Sequence, residues 1–161
     1  MEAFLMEKLN IKKFADPQDG SAANIVGGRV DMSKQERVAF VLLVAAAAGS
    51  VVLNMKQHNA ASGGTTKALA IQNSYFHKVG TAGVFTRVEP SADSDVIDAS
   101  TAFGANSGIL VVEVLQEDLD VNGGFTHMSV ELVDTGAVAK VVAGMYFCHA
   151  CRDLPAYAQS L

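Results

Sequence analysis

The chain has 161 residues, half of them apolar and only 18% charged, and its formal net charge is −5. This length fits one domain, and so apolar a composition excludes a disordered chain. A negative charge without a stripe of Lys and Arg argues against a nucleic-acid partner. The apolar half is rich in Ala and Val. Because charges are so sparse, we expect part of the apolar surface to meet another protein.

The first segment, residues 1–14, is predicted to be a short helix or an arm. Its apolar residues are loosely spaced along one face, and acidic residues precede lysines, an order that suits a helix dipole. Residues 15–28 carry a proline and three glycines and are predicted to be a loop. We therefore expect an N-terminal arm and linker at residues 1–29, which can reach a neighbouring subunit, and one domain at residues 30–161.

From residue 30 onward, short apolar runs alternate with glycine and polar residues. Such runs predict strands, and the absence of βαβ alternation favours an antiparallel arrangement. The fold class predicted is therefore mainly β, an antiparallel β-sandwich or jelly roll. One alternative stays open, since the Ala-rich residues 45–48 could continue a helix from Lys34. The strands are predicted at residues 37–44, 50–57, 108–115, 125–133 and 138–147, with weaker candidates at 68–72 and 84–88 and a loop at 60–66.

A candidate calcium site lies at Asp118, Asp120 and Asn122, which with Gly123 match the first half of a calcium-binding loop. Such a loop needs a bidentate Glu at its twelfth position, where this chain has Ser129. The alternative is a turn between two strands, because Asn and Gly tolerate positive φ values. The turn is the preferred interpretation, and no metal or other cofactor is expected.

The only two cysteines, Cys148 and Cys151, form a C-x-x-C motif with a histidine inside it. A structural zinc site usually needs a second cluster of ligands, and the sequence offers none. Two cysteines are also too few for a disulfide framework, which favours a reducing cytoplasm. We see no secretory signal in residues 1–14, and the apolar residues 38–48 are shorter than the about 20 that span a membrane.

No catalytic motif is recognisable. The chain lacks a G-x-S-x-G nucleophile elbow, a P-loop and a G-x-G-x-x-G fingerprint. An acidic stretch at residues 89–98 is typical of a solvated loop. We therefore expect a protein that is not an enzyme.

Two parts of the sequence resemble small structural proteins of tailed bacteriophages. The first is V-D-M-S at residues 30–33 followed by E-R-V-A-F-V at 36–41, and the second runs from I-L-V-V-E-V at 109–114 through D-L-D-V-N-G-G-F-T-H at 118–127 to Tyr146. The likeness covers residues 30–152. It implies a β-rich virion component, of the capsid decoration or cement type, that is often trimeric and holds the capsid shell together.

The resemblance makes the major capsid protein the expected partner, together with other copies of the chain in a homo-oligomer, with a trimer favoured. The expected location is the capsid exterior of the virion, after assembly in the host cytoplasm. The alternatives are a neck, head-completion or tail protein of the virion, and a calcium-dependent carbohydrate-binding module. The residues expected to form the interface are Phe4, Leu5, Leu9, Ile11 and Phe14.

Overall fold

The computed structural model describes residues 9–21, 23–47, 50–80, 83–134 and 140–150. Over these described residues the protein is mainly β, with 55% in strands and one short helix, α1 (Ser100–Phe103). A 3₁₀ turn occupies Gln116–Asp118. The strands are β1 (Leu9–Asp19), β2 (Ile25–Val26), β3 (Val30–Asp31), β4 (Gln35–Ala47), β5 (Val52–His58), β6 (Thr66–Ala68), β7 (Tyr75–Val79), β8 (Thr86–Val88), β9 (Val96–Asp98), β10 (Gly108–Leu115), β11 (His127–Leu132) and β12 (Lys140–Ala150).

The strands form two sheets. Sheet 1 has the order β1-β12-β4-β10-β7-β8, and sheet 2 has the order β2-β11-β5-β6, with β3 also paired to β11 and β9 to β5. All of these strand pairs are antiparallel. The expectation of a mainly β protein with antiparallel sheets is therefore confirmed.

One hydrophobic core joins the two sheets. Sheet 1 contributes alternate residues of β4, such as Phe40 and Leu42, and sheet 2 contributes Met55 of β5 and Val130 of β11. Alternation follows from the strand period of two residues, which sends successive side chains to opposite faces. The inward side chains of β10 follow the same rule, with Leu110 among them.

The predicted N-terminal helix is wrong for the described part of residues 1–14. Residues from Leu9 onward belong to β1, which pairs along β12 at the edge of sheet 1. Phe14 is buried, with its ring centroid 5.0 Å from that of Phe40 and 6.0 Å from that of Tyr146. Pairing with β12 and burial of this ring outweigh a weak local helix signal. Residues 1–8 lie outside the described part.

The predicted loop at residues 15–28 is also partly wrong. Strand β1 continues through Pro17 to Asp19, and β2 lies within the same stretch and pairs with β11. The proline is accommodated because β1 is an edge strand with register shifts between Lys13 and Gln18. The described part of the predicted arm and linker thus pairs with both sheets.

Most strands predicted from residue 30 onward are present. Strand β10 matches its predicted bounds, and β4 extends through Ala47, so the Ala-rich tract continues a strand over its described part and the helix alternative is wrong there. The candidate at 68–72 is wrong, since the nearby strand is β6, and the candidate at 84–88 shortens to β8. The strands β1, β2, β3, β7 and β9 were not predicted.

Candidate interaction surface

Sheet 1 carries apolar side chains on both of its faces. In β4, Val38, Phe40 and Leu42 point into the core, whereas Ala39, Val41 and Leu43 alternate with them and are partly exposed. We call the surface on the Val41 side the outer face. Its apolar members come from β1, β12, β4, β10 and β7: Leu9, Ile11, Ala39, Val41, Leu43, Phe76, Ile109, Val111, Leu115, Val141, Ala143, Met145 and Phe147.

The strand register arranges the outer face in rows across the sheet. The central row is Lys13, Met145, Val41, Val111, Phe76 and Arg87. The row on one side of it is Ile11, Phe147, Ala39 and Glu113, and the row on the other side is Ala143, Leu43, Ile109 and Lys78. Each row is thus apolar in the middle and has a charged side chain at one or both ends.

This pattern departs from that of an ordinary antiparallel sheet. When one face of such a sheet meets water, its strands alternate apolar and polar residues, and near-continuous apolar runs are typical of strands covered on both faces. Strands β4 and β10 have such continuous runs. Ile11, Leu43 and Val141 are 43%, 39% and 44% exposed. A covering layer on the outer face would explain the sequence of these strands.

The charges around the outer face are largely paired with one another. Arg37 and Glu113 lie 3.5 Å apart at one end of the sheet. Arg87 pairs with Glu89 at 2.7 Å along the β8 edge, and Lys13 pairs with Asp16 at 2.8 Å along the β1 edge. An apolar centre with a polar rim is the usual anatomy of a protein–protein interface.

Three surface depressions border the outer face. The most apolar of them lies at one end of the strands, where Leu43, Ile109, Val141 and Ala143 meet Pro17. The other two lie at the opposite end of the sheet, and both are lined by the Arg37–Glu113 pair, one beside Phe147 and the other beside Phe76. The face is therefore grooved at both ends.

The residues predicted to form an interface are divided by the strand period. Leu9 and Ile11 lie on the outer side of β1, opposite His149 and Phe147 of β12. Phe14 points to the core, and its ring is already covered by its own chain. The prediction that Phe14 contacts another protein is therefore corrected. Phe4 and Leu5 lie outside the described residues.

The acidic loop at Asp118, Asp120 and Asn122 is engaged in contacts within the chain. Asp118 accepts hydrogen bonds from the Leu115 backbone N–H at 2.7 Å and from the Asn73 side chain at 3.2 Å. Asp120 accepts one from the Gly123 N–H at 2.9 Å and forms an ion pair with Lys67.

The two carboxylates of this loop differ in their environment. Burial raises the pKa of Asp118, whereas the hydrogen bond from Lys67 lowers the pKa of Asp120. Of the residues expected to take positive φ values in the turn, Gly124 has one, 80°, whereas Asn122 and Gly123 do not. Within the described ranges, no group of three or more His, Cys, Asp or Glu side chains could hold a metal ion.

A buried His–Ser pair has the spacing of a catalytic base and nucleophile but not the access. In sheet 2, His58 Nε2 lies 2.8 Å from Ser129 Oγ, and His58 Nδ1 lies 2.8 Å from Thr66 Oγ1. Burial, with Arg29 and His127 nearby, lowers the pKa of His58 to about 4. Both members of the pair are buried, so a substrate cannot reach the serine. The network satisfies polar groups inside the sheet.

The C-x-x-C motif lies only in part within the described residues. Cys148 is buried on the core side of β12, and burial raises the pKa of its thiol, which disfavours the reactive thiolate. Cys151 lies outside the described residues.

Sequence reasoning predicted an apolar surface for another protein but did not locate the outer face. The signal was available in residues 38–44 and 109–112, whose unbroken apolar runs are more than one buried face requires. Searches of protein-family models, curated proteins and solved structures found no match to the chain. In the described part of the chain, no helix is long and apolar enough to cross a membrane.

Proposed function

We propose that this protein is a decoration (cement) protein of a tailed-bacteriophage capsid. It binds the major capsid protein on the outside of the shell and stabilises the shell through protein–protein contacts. The observation that carries the proposal is the outer face of sheet 1, where five adjacent strands present apolar side chains to solvent inside a charged rim. A protein that works by contact needs such a surface and no catalytic group.

Two further properties support this role. The resemblance of residues 30–152 to small virion proteins points to a particle component, and the net charge of −5 suits the exterior of a DNA-filled shell better than its interior. Sheets 1 and 2 share one core, and we assign the finer fold to the antiparallel β-sandwiches.

The contacts with the shell are placed at the N-terminal margin of the outer face. Leu9 and Ile11 lie there on the outer side of the edge strand β1, and residues 1–8, with Phe4 and Leu5, precede them. Ile11 is 43% exposed, which leaves it available to a partner. A sheet edge is also a site where another chain can add backbone hydrogen bonds.

The test uses particles of the phage that encodes the chain. Electron cryo-microscopy of the virion should show density for the sandwich on the capsid exterior, and purified protein should sediment with shells assembled without it. Density confined to the neck or the tail would overturn the cement role in favour of a head-completion or tail protein. Absence of the chain from purified virions would overturn both.

A variant pair locates the contact. Ile11→Glu should weaken co-sedimentation with shells by about ten-fold or more, because it places a charge in an apolar contact. Val26→Glu is the control, since Val26 is 61% exposed but belongs to sheet 2. If both variants bind shells as the unmodified protein does, the contact does not lie at the β1 margin.

A further inference from the structure

Two central strands of the outer face, β12 and β4, each place a large side chain on one side of the central row and a small one on the other side. In β12, Phe147 lies in the row on one side of the central row and Ala143 in the row on the other side. In β4 the order is reversed, with Ala39 on the Phe147 side and Leu43 on the Ala143 side.

We propose that a second copy of this chain packs on the outer face, about a two-fold axis that lies in the interface and crosses the strands at the level of Val41. This rotation exchanges the two outer rows and leaves the central row facing itself. Phe147 of one copy then lies over Ala143 of the other, and Leu43 lies over Ala39. An interface built by a two-fold axis must be self-complementary in this way.

Electrostatics favours a second copy at this face. The whole chain carries a charge of −5, so two copies repel each other over much of their surface. On the outer face, however, Lys13 is balanced by Asp16, Arg37 by Glu113 and Arg87 by Glu89. Two copies can therefore approach here without placing unbalanced charge against like charge.

The rotation also brings opposite charges towards each other. Lys78 ends the row of Leu43, and Glu113 ends the row of Ala39 on the neighbouring strand. Because the two rows are exchanged, each Lys78 approaches the end of the face where the other copy has Glu113. A charged rim of this kind fixes the register of an interface more than its strength.

The area of the face agrees with a reversible dimer. Strands about 4.8 Å apart and rows about 7 Å apart give an apolar patch of roughly 20 by 20 Å, or about 400 Å² on each copy. With the rim, two copies bury roughly 1,000 Å², which is the lower limit for a specific interface. We therefore expect a monomer–dimer equilibrium that depends on protein concentration.

This inference takes from the proposed function only that protein covers the outer face, and it leaves the open backbone edge of β1 for the shell. It differs from the trimer that the resemblance implies. Analytical ultracentrifugation of the isolated full-length chain tests it without any virion. A dimer in solution with no shell binding would leave the inference standing and remove the cement role, and a monomer that binds shells would do the reverse.

The first variant pair tests which face is used. Leu43→Glu should raise the dimer dissociation constant at least about ten-fold. Val96→Glu should leave it unchanged, since Val96 has a similar exposure, 42% against 39%, but belongs to sheet 2. Dimerisation of Leu43→Glu equal to that of the unmodified chain overturns the proposal, and so does a chain that stays monomeric at every concentration or forms a trimer.

A size exchange tests the two-fold axis itself and does not depend on an introduced charge. Ala39→Leu should place leucine against leucine, Leu43→Ala should leave a gap, and each should raise the dissociation constant about ten-fold. The double variant restores one large and one small side chain at each contact, so its dissociation constant should return to within about three-fold of the original. Additive losses in the double variant would overturn the axis. Circular dichroism and melting curves establish that each variant is folded.

Discussion

The hydroxyl of Tyr146 in sheet 1 accepts a hydrogen bond from the backbone N–H of Val130 in sheet 2, with 3.3 Å between oxygen and nitrogen. This N–H is free for the contact because β2 and β3 pair with separate parts of β11, on either side of Val130. Burial raises the pKa of Tyr146 far above its ordinary range, so the phenol stays protonated. The contact ties the two sheets together at a break in strand pairing.

Removing this hydroxyl should destabilise the protein. Tyr146→Phe leaves the buried N–H of Val130 without its partner, and an unsatisfied buried donor costs about 1–3 kcal/mol. Urea denaturation followed by circular dichroism would measure the change in the free energy of unfolding. A variant as stable as the original would show that the hydrogen bond contributes nothing to the sheet contact.

The neighbouring glycines should respond very differently to the same substitution. A Cβ atom at Gly27 would lie closer than 3 Å to the Tyr146 hydroxyl and to the Phe14 ring, whereas a Cβ at Gly28 meets nothing within 4 Å. Gly27→Ala should therefore lower the free energy of unfolding by about 2 kcal/mol or more. Gly28→Ala is the matched control and should change it by less than about 0.5 kcal/mol. Equal effects at the two positions would contradict this packing.

His58 should make stability depend on pH in the mildly acidic range. Its pKa is about 4 in the folded protein against 6.5 in an unfolded chain, because burial disfavours the charged ring and Arg29, His127 and Lys56 add to the effect. Between these values the unfolded chain binds more protons, so stability falls as the pH drops from about 6.5 to about 4.

Melting temperatures measured across that range would test this dependence. His58→Gln should flatten the slope. Carboxylates with lowered pKa values, such as Asp31 and Glu131, contribute at still lower pH, because the unfolded chain protonates them first. An unchanged slope in His58→Gln would assign the pH dependence to other groups.

Two N-terminal deletions should show how much strand β1 contributes to the stability of the fold. Deleting residues 1–8 leaves β1 intact and should leave the melting temperature of the isolated chain nearly unchanged. Deleting residues 1–14 removes the pairs that Leu9 to Lys13 form with β12, and it removes the buried ring of Phe14. The cost should be about 3–5 kcal/mol, the size of a large core truncation. Equal melting temperatures for the two deletions would show that β1 contributes little.

Calcium should not stabilise the protein. The two carboxylates of the predicted loop already have partners within the chain: one accepts hydrogen bonds from Leu115 and Asn73, and the other forms an ion pair with Lys67. Addition of about 5 mM calcium, enough to fill even a weak extracellular-type site, should leave the melting temperature unchanged. A rise that Asp120→Asn abolishes would support the calcium-dependent module instead.

The sequence predicted strands wherever local pattern and packing agree. Strand β10 begins and ends at the predicted residues, because its apolar run is bounded by glycine and by the turn after Leu115. Strand β1 was not recognised because nothing local specifies it: its proline and charged residues resemble a linker, and its pairing partner, β12, lies more than 100 residues later. Long-range pairing of this kind is invisible to a periodicity argument.

The sequence predicts that part of the apolar surface contacts another protein, but it does not predict where on the fold that surface lies. The apolar run within residues 37–44 was interpreted only as evidence of a strand, although from Val38 onward both sets of alternate residues are apolar. The choice of Phe14 for the interface failed because register, which the sequence does not reveal, decides whether an apolar residue points in or out. The same register turns Ile11 outward, three residues earlier.

The apolar outer face also affects how the chain behaves before it meets any partner. An apolar sheet surface that attracts protein promotes aggregation in a crowded cell. The short strand β8, which contains Arg87 and is followed by Glu89, limits strand pairing at its edge of the sheet. Dimerisation would bury the outer face after synthesis, until the chain binds its partner. The melting temperature should then climb as the protein is concentrated, so that abundance itself becomes a source of stability.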